Sequence, residues 1–193
     1  MGKLIVVYHS TYGHTKLQAE AVQRGAAAVD GMKAEIMTTE EAIGKIDEFD
    51  NAGAIIFGTP TYMGNISADM KKFMEASVSK WFKAAWKDKI AGGFTNSSSF
   101  SGDKLNTLQG LVVFAMQHGM IWAGTGMFPS ANDMDAMKSI EGPGPGTHNR
   151  LGSFIGPMAA SFQVNAPDAP SKGDIETAEA YGKRVAEITM RFS

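Results

Sequence analysis

The chain has 193 residues, no cysteine and a formal charge of -2 at pH 7, with acids and bases interspersed along it. That length suits one domain with its own buried core, and the charge offers neither a basic stripe to nucleic acid nor a polybasic patch to a membrane. Without cysteine, disulfides, thiolate metal sites and thiol nucleophiles are excluded, so redox chemistry needs a borrowed cofactor, and a reducing compartment suits the chain.

The first apolar run, "LIVVYH" (4 to 9), reads as a strand and is too short for a signal peptide or a membrane span. Val6 stands where a myristoylation motif wants serine or threonine, so a soluble cytoplasmic protein is expected. Further strands are expected at 34 to 38, 52 to 60, 90 to 95 and 120 to 125, alternating with helices near 14 to 29, 66 to 78, 103 to 116 and 174 to 191. Gly31 reads as the stop of the first helix, Asp103 as a possible cap of the third and Asp174 as the N-cap of the last. In the third helix Leu105, Leu108, Val112 and Ala115 form one stripe, which predicts that this stripe lies on the sheet.

This alternation predicts an α/β fold: a flavodoxin-like, doubly wound, five-stranded parallel sheet in the order 2-1-3-4-5, forming one domain over residues 1 to 193. Ligands of such sheets bind outside the carboxyl ends of the strands, which points to the loops at 9 to 15, 59 to 65 and 95 to 102 and to the segment after 125. The stretch 126 to 160 contains "EGPGPGTH" and is too long for an ordinary loop, so it is expected to be a functional or interface-forming excursion.

The loop "HSTYGHT" (9 to 15) stands where a strand becomes a helix. Unpaired amides there, joined by the hydroxyls of Ser10, Thr11 and Thr15, suit a terminal phosphate monoester, and Gly13 permits close backbone approach. The same residues suit a merely capped helix equally well. In "GTPTYMGNISADMKKFM" (58 to 74), Tyr62 or Met63 offers a bed for a flat apolar ring, though such a residue on a turn is commonly just packed. "TNSSSFSGD" (95 to 103) adds a hydroxyl and amide cluster after the next strand. Trp81 and Trp86 in a short polar connection should cover a ligand, an interface or the core.

"SxYGHT" after the first strand, "GTPTYMGNISADMKKFM" and "HGM" before the fifth strand resemble the WrbA-like NAD(P)H:quinone oxidoreductases of the flavodoxin superfamily. The similarity covers residues 3 to about 125 and resumes in the last helix. It implies an FMN whose phosphate rests on Ser10, Thr11, Tyr12, Gly13, His14 and Thr15. The isoalloxazine then meets Pro60, Thr61, Tyr62, Met63 and Gly64, together with Thr95, Asn96, Ser97, Ser98, Ser99, Phe100 and Ser101. It further implies that Tyr12 helps receive nicotinamide, that Trp81 lines the substrate cavity, and that Gln117 and His118 stand where the family has a flavin-site histidine pair. The implied reaction takes hydride from NADH or NADPH to FMN and then two electrons to a quinone-type acceptor, in a homo-oligomer, tetramer or dimer, whose subunits complete one another's pockets.

Three departures from the family pattern stand out. "TNSSSFSGD" replaces a Gly/Thr-rich loop, Gln117 replaces the first histidine of the pair, and residues 128 to 161 replace a shorter segment. Glutamine donates a hydrogen bond but does not titrate. No side chain is assigned as an obligatory acid or base and no metal is expected. The alternative is a flavodoxin-like electron carrier without NAD(P)H activity, although such carriers are generally strongly acidic and this chain is not.

Overall fold

Runs of Val, Ile and Phe bury best in strands covered on both faces, and parallel pairing provides that environment. In the computed structural model, which describes residues 2–192, β1 (Gly2–Tyr8) pairs in parallel with β2 (Met32–Thr38) and with β3 (Ala54–Tyr62). The end of β3 folds back onto the two-residue antiparallel β4 (Asn65–Ile66). Beyond β3 come β5 (Ile90–Ser97) and β6 (Ile121–Trp122), giving the order β2-β1-β3-β5-β6. With the small hairpin set aside, this is the expected 2-1-3-4-5 arrangement.

Successive residues of β1 point to opposite faces, and each face has its own core. Leu4 and Val6 pack with Ala19 and Val22 of α1 (His14–Ala27) and with Tyr181 and Val185 of α6 (Lys172–Arg191). Ile5 and Val7 face the side covered by α3 (Ala68–Ala76) and α5 (Lys104–Gln117). Phe49, Phe73, Trp86 and Phe114 join that second core. The short helices α2 (Thr39–Gly44) and α4 (Val78–Phe82) are additions to the expected set, as are 3-10 turns at Ile46–Asn51 and Met134–Lys138.

Helices α1 and α6 cross at backbone contact. A Cβ on Gly25 would lie 1.8 Å from Glu179 O, and one on Gly182 would lie 1.9 Å from Val22 O. Only glycine permits that approach, which is why two residues unfavourable to helices occupy helix interiors.

Several local expectations are corrected. The sheet-facing side of α5 carries Lys104, Thr107, Leu108, Leu111 and Ala115, while Leu105 is exposed and Val112 half-buried, so the true stripe is rotated by about one residue. Ser171 caps α6 by accepting from Asp174 N, and Asp174 sits in the first turn, bonded to Arg150 instead. Helix α1 stops at Ala27, and Gly31, at φ +75°, serves the turn into β2, its carbonyl accepting from Gly2 N at 2.9 Å. Asp103 occupies the position before α5 without a side-chain cap bond.

The largest correction concerns the fifth strand, expected at 120 to 125. Only Ile121–Trp122 is assigned to strand, and the chain leaves the sheet after Ala123 N donates to Ala91 O. It returns as β7 (Met158–Ala160), which pairs with the other end of the same strand, Thr95 to Ser97. The hydroxyl of fully buried Tyr181 fills the gap, donating to Ala123 O at 2.6 Å and accepting from Gly93 N at 3.1 Å. Desolvation pushes the Tyr181 phenol far above its ordinary value and keeps it a donor. Tyr181→Phe leaves Gly93 N–H and Ala123 C=O unpaired in the seam. The expected cost is about 1–3 kcal/mol in urea unfolding, and an unchanged midpoint would remove this hydroxyl from the account.

Candidate functional site

The carboxyl ends of β1, β3 and β5 open onto a cavity of about 700 Å³. Its first wall is the loop before α1. Gly13, at φ +88°, precedes the helix with no side-chain cap, and its N–H donates to Ser10 Oγ at 3.1 Å. Among the described residues no protein acceptor takes the N–H of His14, Thr15 or Lys16, so the helix end keeps open donors with a partial positive charge, and His14 and Thr15 of these line the cavity. Ser10, Thr11, Tyr12, His14 and Thr15 all line the cavity, and Tyr12 stands at its rim, 72% exposed.

The second wall is the end of β3 and its turn, Pro60, Thr61, Tyr62, Met63 and Gly64. Met63 lies at φ +49° and is fully exposed, while Asn106 Nδ2 donates to Gly64 O at 2.8 Å and ties the turn to α5. Thr61 Oγ1 bonds Thr95 Oγ1 at 2.9 Å and donates to Thr107 Oγ1 at 2.8 Å, which locks β3, β5 and α5 together. His9, just beyond β1, ties the start of the first loop to the N-terminal end of α3: its Nδ1 lies 2.9 Å from Ser67 Oγ and its Nε2 3.2 Å from Asp69. Burial lowers the His9 pKa, opposed by the Asp69 carboxylate, so the ring is biased toward the neutral form.

The third wall is Asn96 to Ser99 with Gly102. Asn96 Nδ2 donates to Ser161 Oγ at 3.0 Å, whereas its buried Oδ1 has no protein partner among the described residues. Beneath this loop lies Lys104, fully buried, its Nζ donating to Ser97 Oγ at 2.8 Å and to Ser99 O at 2.5 Å. Beside it Arg150 and Asp174 form a buried bidentate pair at 2.8 and 2.9 Å. Desolvation lowers the Lys104 pKa from its ordinary 10.5 to about 8, with Asp174 opposing and Arg150 reinforcing the shift.

A fourth wall comes from Ser161, Phe162, Gln163, Val164 and Asn165, delivered by β7. His14 Nε2 lies 2.8 Å from Val164 O, which joins the fourth wall to the first. The segment after 125 was expected at this edge, but residues 161 to 165 were not legible as its contribution, because their position depends on the return of the broken strand. Lys104 was not anticipated either; a lysine in phase with Leu108, Leu111 and Ala115 was the available signal.

Other expected site residues lie elsewhere in the protomer. Thr95 is buried behind the cavity wall. Phe100 and Ser101 line a neighbouring cavity of about 780 Å³ between α5 and the excursion, where Phe100 packs edge-on against Phe162 and under Arg150. Gln117 is exposed at the far end of α5, and His118 is buried there, stacked on Trp86 at 4.4 Å and bonded to Ser77 Oγ at 2.9 Å. Trp86 is core, while Trp81 is partly exposed on α4 against Phe82.

Comparison with known proteins agrees with the flavodoxin-like fold. The family model for NADPH-dependent FMN reductase matches residues 28–135. A flavodoxin, FldP, of Pseudomonas aeruginosa is 40% identical over 193 residues, covering 100% of this chain and 99% of its own. The crystal structure of a flavodoxin, WrbA-like protein from Agrobacterium tumefaciens is 40% identical, with full coverage of both chains and a TM-score of 0.74. The chain belongs to the WrbA-like flavodoxin superfamily. An NAD(P)H dehydrogenase (quinone) of Solidesulfovibrio magneticus is 27% identical, over 98% of each chain. Membership places this WrbA-like protein among the flavin oxidoreductases. Among its described residues no helix is long and apolar enough to cross a membrane.

The titration of Lys104 has a stability consequence. Between about pH 8 and 10.5 the unfolded chain keeps a proton on this amine that the folded chain has released, so folding stability from this group rises with pH across that window. Wild type is therefore expected to gain on Lys104→Met as the pH climbs from 8 to 10.5, read from urea midpoints of the two proteins. Curves that stay parallel would contradict the burial of a charged amine.

Proposed function

We propose that this WrbA-like protein is an FMN-dependent NAD(P)H:quinone oxidoreductase. The observation that carries the reading is one continuous cavity that joins open helix-end amides to a polar-edged, partly apolar slot. The residues fit the cofactor. A monophosphate suits the amides of His14 and Thr15 with the hydroxyls of Ser10, Thr11 and Thr15, and the lone Asn96 Oδ1 suits a hydroxyl or amide donor of the ligand. Tyr62, Met63 and Phe162 supply the flat apolar surroundings that a ring system needs.

When bound, FMN supplies the redox chemistry, accepting hydride from NADH or NADPH and passing two electrons to a quinone-type acceptor. The chain's own residues bind and orient. The first loop fixes the phosphate, Thr61, bonded to both Thr95 and Thr107, braces the slot, and Tyr12 at the rim receives the nicotinamide. Gln117 and Trp81 stand exposed away from the protomer's own cavity, so in this reading they act only across subunits of a homo-oligomer, tetramer or dimer, whereas His118, buried against Trp86, has a core role. The protein would work in the cytoplasm as one FMN-binding domain, without nucleic acid or membrane.

A second reading, a flavodoxin-type electron carrier, is favoured by the name of the Pseudomonas relative. The two separate in one assay. FMN-loaded protein is expected to oxidise NADH or NADPH rapidly once benzoquinone is added, followed at 340 nm. Tightly bound FMN with no such turnover, yet ready reduction by a separate flavodoxin reductase, would favour the carrier. Protein that does not take up FMN would refute both.

A further inference from the structure

We propose that Lys104 is the counter-charge of the cofactor pocket: a buried cation that favours the reduced, negatively charged form of the ring bound above it. The proposal rests on the FMN reading and concerns a residue outside the cavity wall. Lys104 is a positioning and electrostatic residue, separated from the cavity by the loop that it holds.

Three observations carry it. First, the amine is fully buried, and both of its hydrogen-bond acceptors are neutral oxygens, Ser97 Oγ and Ser99 O. Second, the charge is not cancelled locally. Among the described residues no carboxylate lies within 4.0 Å of Nζ, and the nearby Asp174 is already committed to Arg150 through two bonds, with a third from Ala160 N at 3.2 Å. The group of Lys104, Arg150 and Asp174 therefore carries a net positive charge beneath the loop. Third, both acceptors of Lys104 line the cavity, on the side away from the phosphate-type site of α1.

A buried charge without a partner is costly, so a lysine at this position burdens the ligand-free fold. Ser97 Oγ accepts from Lys104 and donates to Ser99 O at 3.2 Å, so the loop's dipoles are already oriented by the amine. Ser97 and Ser99, polarised by the amine, present that positive field to a ring held in the cavity, and the field favours the form that carries negative charge. Across one loop's thickness, at an effective dielectric of about 20, a unit charge shifts such an equilibrium by roughly tenfold.

The test compares wild type with Lys104→Met, Lys104→Gln and Lys104→Arg, each loaded with FMN. Oxidised FMN affinity is read by quenching of flavin fluorescence, and the two-electron midpoint potential by anaerobic titration against indicator dyes. Met and Gln are each expected to bind oxidised FMN within about threefold of wild type. They are expected to lose roughly tenfold in reduced relative to oxidised affinity, which lowers the midpoint by about 30 mV. Arg, which keeps the charge, is expected to stay close to wild type. Gln keeps a donor for Ser97 and Ser99, so it decides the matter if Met does not fold. A wild-type potential in Gln would assign the role to loop geometry and overturn the proposal, as would equal potentials in all four proteins. Absence of FMN uptake by wild type would overturn it together with the functional reading, whereas uptake with unmoved potentials overturns this proposal alone.

Discussion

Every buried backbone group along an edge of β5 needs a partner, and on the side away from β3 it finds three kinds in succession. The Lys89 and Ala91 carbonyls accept from the N–H groups of Ile121 and Ala123, Gly93 N donates to the phenol oxygen of Tyr181, and Thr95 N donates to Pro157 O before β7 begins. A side chain from the last helix thus does the work of a missing strand residue. Because the seam is closed in this way, the chain can leave after Ala123, make its excursion and return in register. The segment 161–165 then comes down over the first loop and completes the cavity.

That return explains why the site is tied together by so many short bonds between distant parts of the chain. His9 meets Ser67, His14 meets Val164, Asn96 meets Ser161, and Asn106 meets Gly64. Each joins one wall to another or to α3 or α5. Walls built from loops gain order from such links, since each removes freedom that a ligand would otherwise have to restrict. The helix end in the first wall, by contrast, is left with open backbone donors, which marks where a negatively charged group belongs.

The excursion has a structural role as well. Asn149 N donates to Thr177 Oγ1 at 2.7 Å and Arg150 pairs with Asp174, so the excursion is fastened to α6 and reaches back over Phe100. Its charge enters the same low-dielectric layer as Lys104. The third loop therefore rests on an electrostatic arrangement built from α5, α6 and the excursion.

Alternation of branched apolar runs with helical periods determined the α/β class and the strand order, because strands buried on both faces tolerate little else. The first loop was readable too, since hydroxyls and a glycine between a strand and a helix have few physical uses. Only the tertiary structure decided the rest. A strand of two residues, Ile121–Trp122, is indistinguishable by composition from the six expected there, and nothing local in "MIWAGT" says that a tyrosine about sixty residues later will take over its pairing. The one-residue rotation of α5 turned Leu105 outward and buried Lys104, a choice set by packing against β3, β4 and β5. His118 and Trp86 stack in the core because both lie at the sheet's other end, a distance that no motif spacing encodes. Pattern along a chain reports which faces bury; which distant groups then meet is fixed by the geometry that closes around them.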